Sequence, residues 1–369
     1  MGKDRVVPGA SSGLFADFPS KLTGESLRPI FRRAIGRATQ ISCVGFLLCL
    51  TAACSKGNNE TVAAATPQNA AQPAQNGIGL SQPQIDAAMN AALKIDPQRA
   101  WQYVKEFTAI GSRPLGSPGH KKAEDYIHAH LKGDQVEDDN FTQDTPVGKF
   151  PVHNIIAKYP GKKPGIVVIA SHYETNIWLP KSFVGANDGG SSTGLLLEFG
   201  NLFRQQVKNG PMDGYSVWLV FDDAEEAMQR SWASDSLYGT KHLAQKWTQD
   251  GTIKQIRAFL LADMIGDADL NIEDDGNSSP QLRKIAYAAA EHYGYQSHFF
   301  GRQTAIEDDH LPFAKAGVPV MDFIDLDYGY NNAFQHTPED TLDKLDPKSI
   351  QIAGDAMLGT LALLNAGAK

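Results

Sequence analysis

The stretch that most constrains this chain is Val217 to Ala227, VWLVFDDAEEA. Apolar and aromatic residues from Val217 to Phe221 run directly into the carboxylates Asp222, Asp223, Glu225 and Glu226. A continuous apolar run ending in a sharp polar switch suits a strand buried on both faces, as in a largely parallel sheet. Just past the end of such a strand lies the rim where α/β proteins bind ligands. Carboxylates crowded at that rim repel one another unless something positive sits among them. A solvated acidic loop is the plain alternative, and other parts of the chain decide between the two.

Composition narrows the field. With 42% hydrophobic and 21% charged residues the chain is ordinary globular material, and its net charge of -8 excludes a nucleic-acid binder, for which a basic stripe is needed. Its only cysteines, Cys43, Cys49 and Cys54, lie near the N-terminus, so a metal in the folded part must be held by His, Asp and Glu. Arg28, Arg32, Arg33 and Arg37 precede the apolar run Ile41 to Ala53, which is too short for a transmembrane helix. The run ends in Leu50-Thr51-Ala52-Ala53-Cys54, which resembles a bacterial lipoprotein signal with Cys54 lipidated, although Thr51 stands where an aliphatic residue is usual. Cleavage nearby, leaving a soluble periplasmic protein, is the alternative. Residues 1–54 are therefore expected to be an N-terminal extension and export signal of a periplasmic or envelope-anchored protein, touching membrane only through a lipid on Cys54. Residues 55–84, rich in Ala, Gln, Pro and Asn, are expected to be a disordered tether. Residues 85–369 are expected to form one domain.

Within that domain the patterns alternate. Strands are predicted at 154–158, 166–171, 217–221, 258–263 and 318–324, and helices at about 192–207, 236–247, 280–293 and 347–364. Two further helices precede them, one capped by Asp96-Pro97 and one over 119–131. This implies an α/β three-layer sandwich with a mixed, mostly parallel sheet and an antiparallel edge near 138–159.

Candidate ligands fall at the strand ends: His172 and Glu174; Asp188 within Gly185-Ala186-Asn187-Asp188-Gly189-Gly190; Glu225 and Glu226; Asp263; Asp308, Asp309 and His310; and His336 within His336-Thr337-Pro338-Glu339-Asp340. Each has a bland reading. His172 suits a local hydrogen bond, Asp188 a turn, Asp308-Asp309 a helix cap, and the His336 segment a cap with Pro in the first turn. What favours a site is that all lie beyond buried strands, in an order one metal centre can gather.

That ordered set resembles the zinc aminopeptidase clan, and within it the glutaminyl cyclases. Trp232-Ala233-Ser234-Asp235-Ser236-Leu237-Tyr238-Gly239-Thr240-Lys241-His242-Leu243 is similar to a cyclase segment, and Asp308-Asp309-His310-Leu311-Pro312-Phe313 to the cyclases' DDHIPF; clan aminopeptidases more often have Ser at the place of Asp308. The chain departs from the pattern at Glu174, where Asp is usual, and at Gln335, where animal cyclases have Trp; Trp178 is a possible substitute for that aromatic wall. The resemblance implies one Zn2+ held by Asp188, Glu226 and His336, with Glu225 as general acid/base, Asp263 and Asp308 as supporting acids, and Trp232 and Gln335 at the substrate. It implies conversion of the N-terminal glutamine of peptides or proteins to pyroglutamate. The rival is a dinuclear aminopeptidase, with His172 and Asp263 holding a second zinc and Asp188 bridging. A non-enzymatic metal-binding envelope lipoprotein is the remaining alternative.

Overall fold

The computed structural model describes residues 77–369 except 230, 231 and 233. The proposed signal and most of the tether lie outside the described residues. Eight strands occur in chain order: β1 (Gln135–Thr145), β2 (Gly148–Tyr159), β3 (Gly161–His172), β4 (Met212–Asp222), β5 (Ile256–Asp263), β6 (Ile272–Asp275), β7 (Phe299–Thr304) and β8 (Val320–Ile324). The helices are α1 (Gln82–Ala91), α2 (Pro97–Thr108), α3 (Pro118–His130), α4 (Gly190–Gln206), α5 (Tyr238–Gln249), α6 (Pro280–His292), α7 (His310–Lys315) and α8 (Pro347–Ala366).

The main sheet has the order β1-β2-β4-β3-β5-β8. β1, β2 and β4 pair antiparallel, and β4, β3, β5 and β8 are parallel neighbours. Strand side chains alternate between faces, so a continuous apolar run must feed two cores. Val217, Leu219 and Phe221 enter a large core shared with α1, α2, α3, α4, α6 and α8. Val220 enters a smaller one with Leu243 and Trp247 of α5 and Phe313 of α7. The expected three-layer sandwich with its antiparallel edge is what forms.

Two features differ from the expectation. β6 and β7 make a separate two-stranded parallel sheet that the pattern did not reveal. Residues 77–84, assigned to the tether, belong to the domain: Ile78 and Leu80 are buried in the large core, and α1 starts at Gln82 behind Ser81, which exchanges hydrogen bonds with Gln84 in a capping box. The few apolar residues of this stretch suffice because a groove is already there to receive them. Its backbone is also tied to the other end of the domain, where Lys369 N–H donates to Ile78 O at 3.1 Å.

Candidate active site

The parallel strands deliver their C-terminal ends to one rim. His172 ends β3 in register with Asp222 of β4, and Asp263 ends β5 in register with Ile324 of β8. The chain leaves β3 for β4 on one side and later fills β5 on the other, so a crevice opens at the end of β3. Three non-glycine residues at this rim have left-handed backbone: Ala224 (φ 58), Met264 (φ 49) and His336 (φ 54). Such conformations cost energy and persist where surrounding structure enforces them, which is common at functional sites. Gly189 (φ 71) begins α4 beside His172; a Cβ there would lie 2.9 Å from His172 Cε1, so only glycine lets the Asp188 loop pass.

In the crevice His336 Nε2 lies 3.3 Å from Asp188 Oδ2 and 3.2 Å from Glu226 Oε1. One ring nitrogen has one lone pair or one proton, so it satisfies one carboxylate by hydrogen bonding, not two. Both carboxylate oxygens are buried and accept no hydrogen bond. The separations match the edges, about 3.3 Å, of a tetrahedron with metal–ligand bonds near 2.0 Å. Two acids and an imidazole whose unused atoms converge on one point fit a divalent metal. Electrostatics agrees: burial pushes His336 down, but Glu226 and Asp188 outweigh it and raise the imidazole to about 11. Burial pushes Asp188 up, yet His172 and His336 hold its carboxyl well below the usual range. The pocket calls for positive charge.

The rival set is present too. His172 Nε2 lies 3.2 Å from Asp188 Oδ1 and 3.1 Å from Asp263 Oδ1. Asp188 thus turns one oxygen to each histidine.

Glu225, Trp232, Asp263, Asp308, Gln335 and His336 all line one cleft of about 320 Å³. Burial, opposed by His172 and reinforced by Glu226 and Asp308, lifts the Glu225 carboxyl well above its usual range. Burial, with Asp263 and Asp309, does the same to Asp308. Trp232 Nε1 donates to Glu307 O at 3.1 Å, which fixes the indole at the cleft wall. Gln335 accepts from Asn332 Nδ2. Trp178 stands edge-on to His336 with ring centroids 5.9 Å apart, so an aromatic does flank the last candidate ligand. A larger cleft of about 510 Å³, bordered by Ile78, Tyr287 and Phe300, shares none of these residues.

Several strand-end residues do not join the site. Asp222 is buried beside Asp309 rather than in the cleft, and Asp223 accepts from His153 N–H at 2.8 Å and pairs with His120 Nε2 at 2.8 Å. His310 is fully buried between Asp275 and Asp322, because α7 turns it inward under the sheet edge. Asp309 does stand at the N-cap of α7, though its side chain makes no cap hydrogen bond, whereas residues 334–341 form turns, not a helix.

Other residues were missed. Arg113 is wholly buried and donates to Tyr173 O at 2.9 Å, Val184 O at 2.5 Å and Gly185 O at 3.1 Å, clasping the loop that carries Asp188. Asp340 accepts from Asn187 N–H at 2.8 Å, Asp188 N–H at 3.2 Å and Tyr328 OH at 2.8 Å. Asn176 Nδ2 donates to Glu226 Oε2 at 2.7 Å, and Glu174 Oε1 accepts from Glu226 N–H at 3.0 Å. Glu174, by contrast, was named above among the candidate ligands, and here it holds Glu226 by accepting from its backbone N–H.

The model of Peptidase family M28 matches residues 154–361. The chain is 31% identical over 307 residues to the glutaminyl-peptide cyclotransferase of Boiga irregularis, covering 73% of this chain and 82% of the relative. The chain belongs to peptidase family M28, in its glutaminyl cyclase branch. Among solved glutaminyl cyclases, that of an Acidobacteriales bacterium superposes with a TM-score of 0.71 at 49% identity, over 80% of this chain and 99% of that one. That of Porphyromonas gingivalis gives 0.65 at 26% identity, over 72% and 98%. Every cleft and ligand residue described above, from His172 to His336, falls inside the M28 span, whereas Arg113 lies outside it.

Proposed function

We propose that this glutaminyl cyclase branch member is a zinc-dependent glutaminyl-peptide cyclotransferase, converting the N-terminal glutamine of peptides and proteins to pyroglutamate with release of ammonia. The observation that carries the reading is one cleft that joins the Asp188–Glu226–His336 triad to Glu225 and Asp308. Zinc held by the triad would supply Lewis acidity toward the γ-amide carbonyl oxygen. Glu225, buried and not part of the triad, takes the proton lost by the α-amine as its nitrogen bonds to the side-chain carbonyl carbon. It returns that proton to the departing nitrogen as the carbon–nitrogen bond of the amide breaks and ammonia leaves. Asp308, kept neutral beside Asp263, donates a hydrogen bond that positions the amide. Trp232 and Gln335 border the substrate.

One observation favours a second reading. His172, Asp188 and Asp263 converge as a full second ligand set, which suits a dinuclear aminopeptidase with Glu225 activating water. The deciding experiment offers purified, tag-free protein a Gln-initiated dipeptide and a Leu-initiated chromogenic amide, with zinc counted in the same sample. Pyroglutamate and ammonia from the first, with about one zinc per chain, support the cyclase. Chromophore from the second, with about two zincs, replaces it by the aminopeptidase.

The same proposal includes export directed by residues 1–54, with Cys54 as a lipid anchor and the stretch after it as a spacer. Among the described residues no helix is long and apolar enough to cross a membrane. Mass spectrometry of the mature N-terminus tests the anchor: an unmodified Cys54, or its loss by cleavage, would discard it.

A further inference from the structure

On the side of the β1–β2 hairpin facing α3, a second set of histidines gathers away from the cleft. His120, Glu124 and His128 recur at intervals of four along α3 and so share one face of the helix. In the hairpin Asp138 pairs with Ile155 and Asn140 with His153, which makes Asp138 and His153 diagonal neighbours on one face of the sheet. The helix stripe and this diagonal meet. His128 Nε2 lies 3.3 Å from Asp138 Oδ1, and His153 Nε2 lies 3.1 Å from the same oxygen. One nitrogen from each imidazole and one carboxylate oxygen thus surround a common point. His153 Nε2 is buried and makes no hydrogen bond, although its partner oxygen is near. The other ring nitrogen of His153 faces Glu124 Oε1 at 3.6 Å, just beyond hydrogen-bond length, on the side where a metal-bound histidine commonly has an outer carboxylate. These spacings repeat those of the Asp188–Glu226–His336 triad.

We propose that His128, His153 and Asp138 form a second metal site, for a divalent transition ion such as Zn2+, Cu2+, Ni2+ or Co2+. Two imidazoles and one carboxylate suit that class and not Ca2+ or Mg2+, which favour all-oxygen shells. His128 and Asp138 are partly exposed, so water completes the coordination and the ion enters directly from solvent. A bound ion ties α3, β1 and β2 together at the antiparallel edge of the sheet. The line continues inward: Glu124 also faces His120 Nδ1 at 3.4 Å, and His120 pairs with Asp223, two residues before Glu225. The outer ion is thereby linked by side chains to the loop that holds the general acid/base.

The test uses the full chain, tag-free and loaded with zinc, and compares it with His128→Ala, a substitution at a partly exposed helix position. Cu2+ is titrated in, and metal is counted after removal of free ion. The parent should hold one metal more than the variant, whatever number the cleft binds. It should also give a copper paramagnetic resonance spectrum with hyperfine coupling to two nitrogens, reduced in the variant. Added Cu2+ should raise the thermal midpoint of the parent only, since binding to the native state stabilises it. Asp138→Asn, which keeps both imidazoles, should weaken the site while leaving activity on a Gln-initiated dipeptide unchanged. Equal metal counts and identical spectra for parent and His128→Ala would overturn the proposal.

Discussion

His336 and His310 each stand between two carboxylates, and they differ in which ring nitrogens face the acids. His336 turns one nitrogen, Nε2, to both Asp188 and Glu226. His310 turns a different nitrogen to each partner, Nε2 to Asp275 at 3.3 Å and Nδ1 to Asp322 at 3.4 Å. Convergence on one nitrogen leaves an unfilled point that a cation suits. His310 gives each ring nitrogen a carboxylate of its own, and neither nitrogen makes a hydrogen bond. Both clusters have the residues that could hold a metal ion, and they differ in whether the carboxylates share one nitrogen.

The comparison can be broken most sharply at the cleft. Glu225→Gln should lower turnover of a Gln-initiated peptide by about 10²–10⁴-fold, the range for loss of general acid/base catalysis, while zinc content stays at the parent value. Loss of zinc with turnover would make Glu225 a ligand. The two histidines come next. His336→Ala should empty the triad of zinc, whereas His310→Leu should keep all of it and lower unfolding stability by about 3–5 kcal/mol, because a charged carboxylate loses its buried partner. Metal analysis beside a urea titration reads both, and a loss of zinc from His310→Leu would erase the distinction. A smaller effect is expected from Asp340→Ala, which frees the backbone of Asn187 and Asp188. Zinc affinity should fall about 10–100-fold, measured by competition with a chromogenic chelator.

A last effect sharpens the contrast by adding a third way to keep a carboxylate inside, which is to protonate it. Burial, eased by hydrogen bonds from the N–H groups of Asn271 and Asp327, raises Asp325 to about 7. Its folded value thus lies above its unfolded one, so the native state holds the extra proton between them. The stability this contributes is complete below about pH 4 and is lost as pH rises through about 7. Urea midpoints taken across that window should fall with rising pH, and Asp325→Asn should flatten the slope. An unchanged slope would place the titration elsewhere.

Much of the frame was legible because a strand buried on both faces has no choice but a continuous apolar run. Ile166 to Ala170, Val217 to Phe221 and Phe259 to Ala262 are such runs, and His172, Glu225, Glu226 and Asp263, a few residues beyond them, meet in the crevice. Illegible parts depend on partners far along the chain. Arg113 reads as a surface arginine beside a proline until Tyr173, Val184 and Gly185 turn their carbonyls to it. His310 and His336 both come after acidic or polar loops, and only packing decides which one looks inward. β6 and β7 are short, and Ile78 and Leu80 are too sparse to suggest a core until the groove exists.

The bond from Lys369 to Ile78 means that the path of the chain through the domain begins and ends at the same spot. A short flexible joint between these residues would make the domain a closed ring. Since chain ends that lie close together tolerate relocation, new ends opened at the exposed Val147 in the β1–β2 turn should leave the cleft assembled. The order in which the elements leave the ribosome would change, and the crevice they build would not.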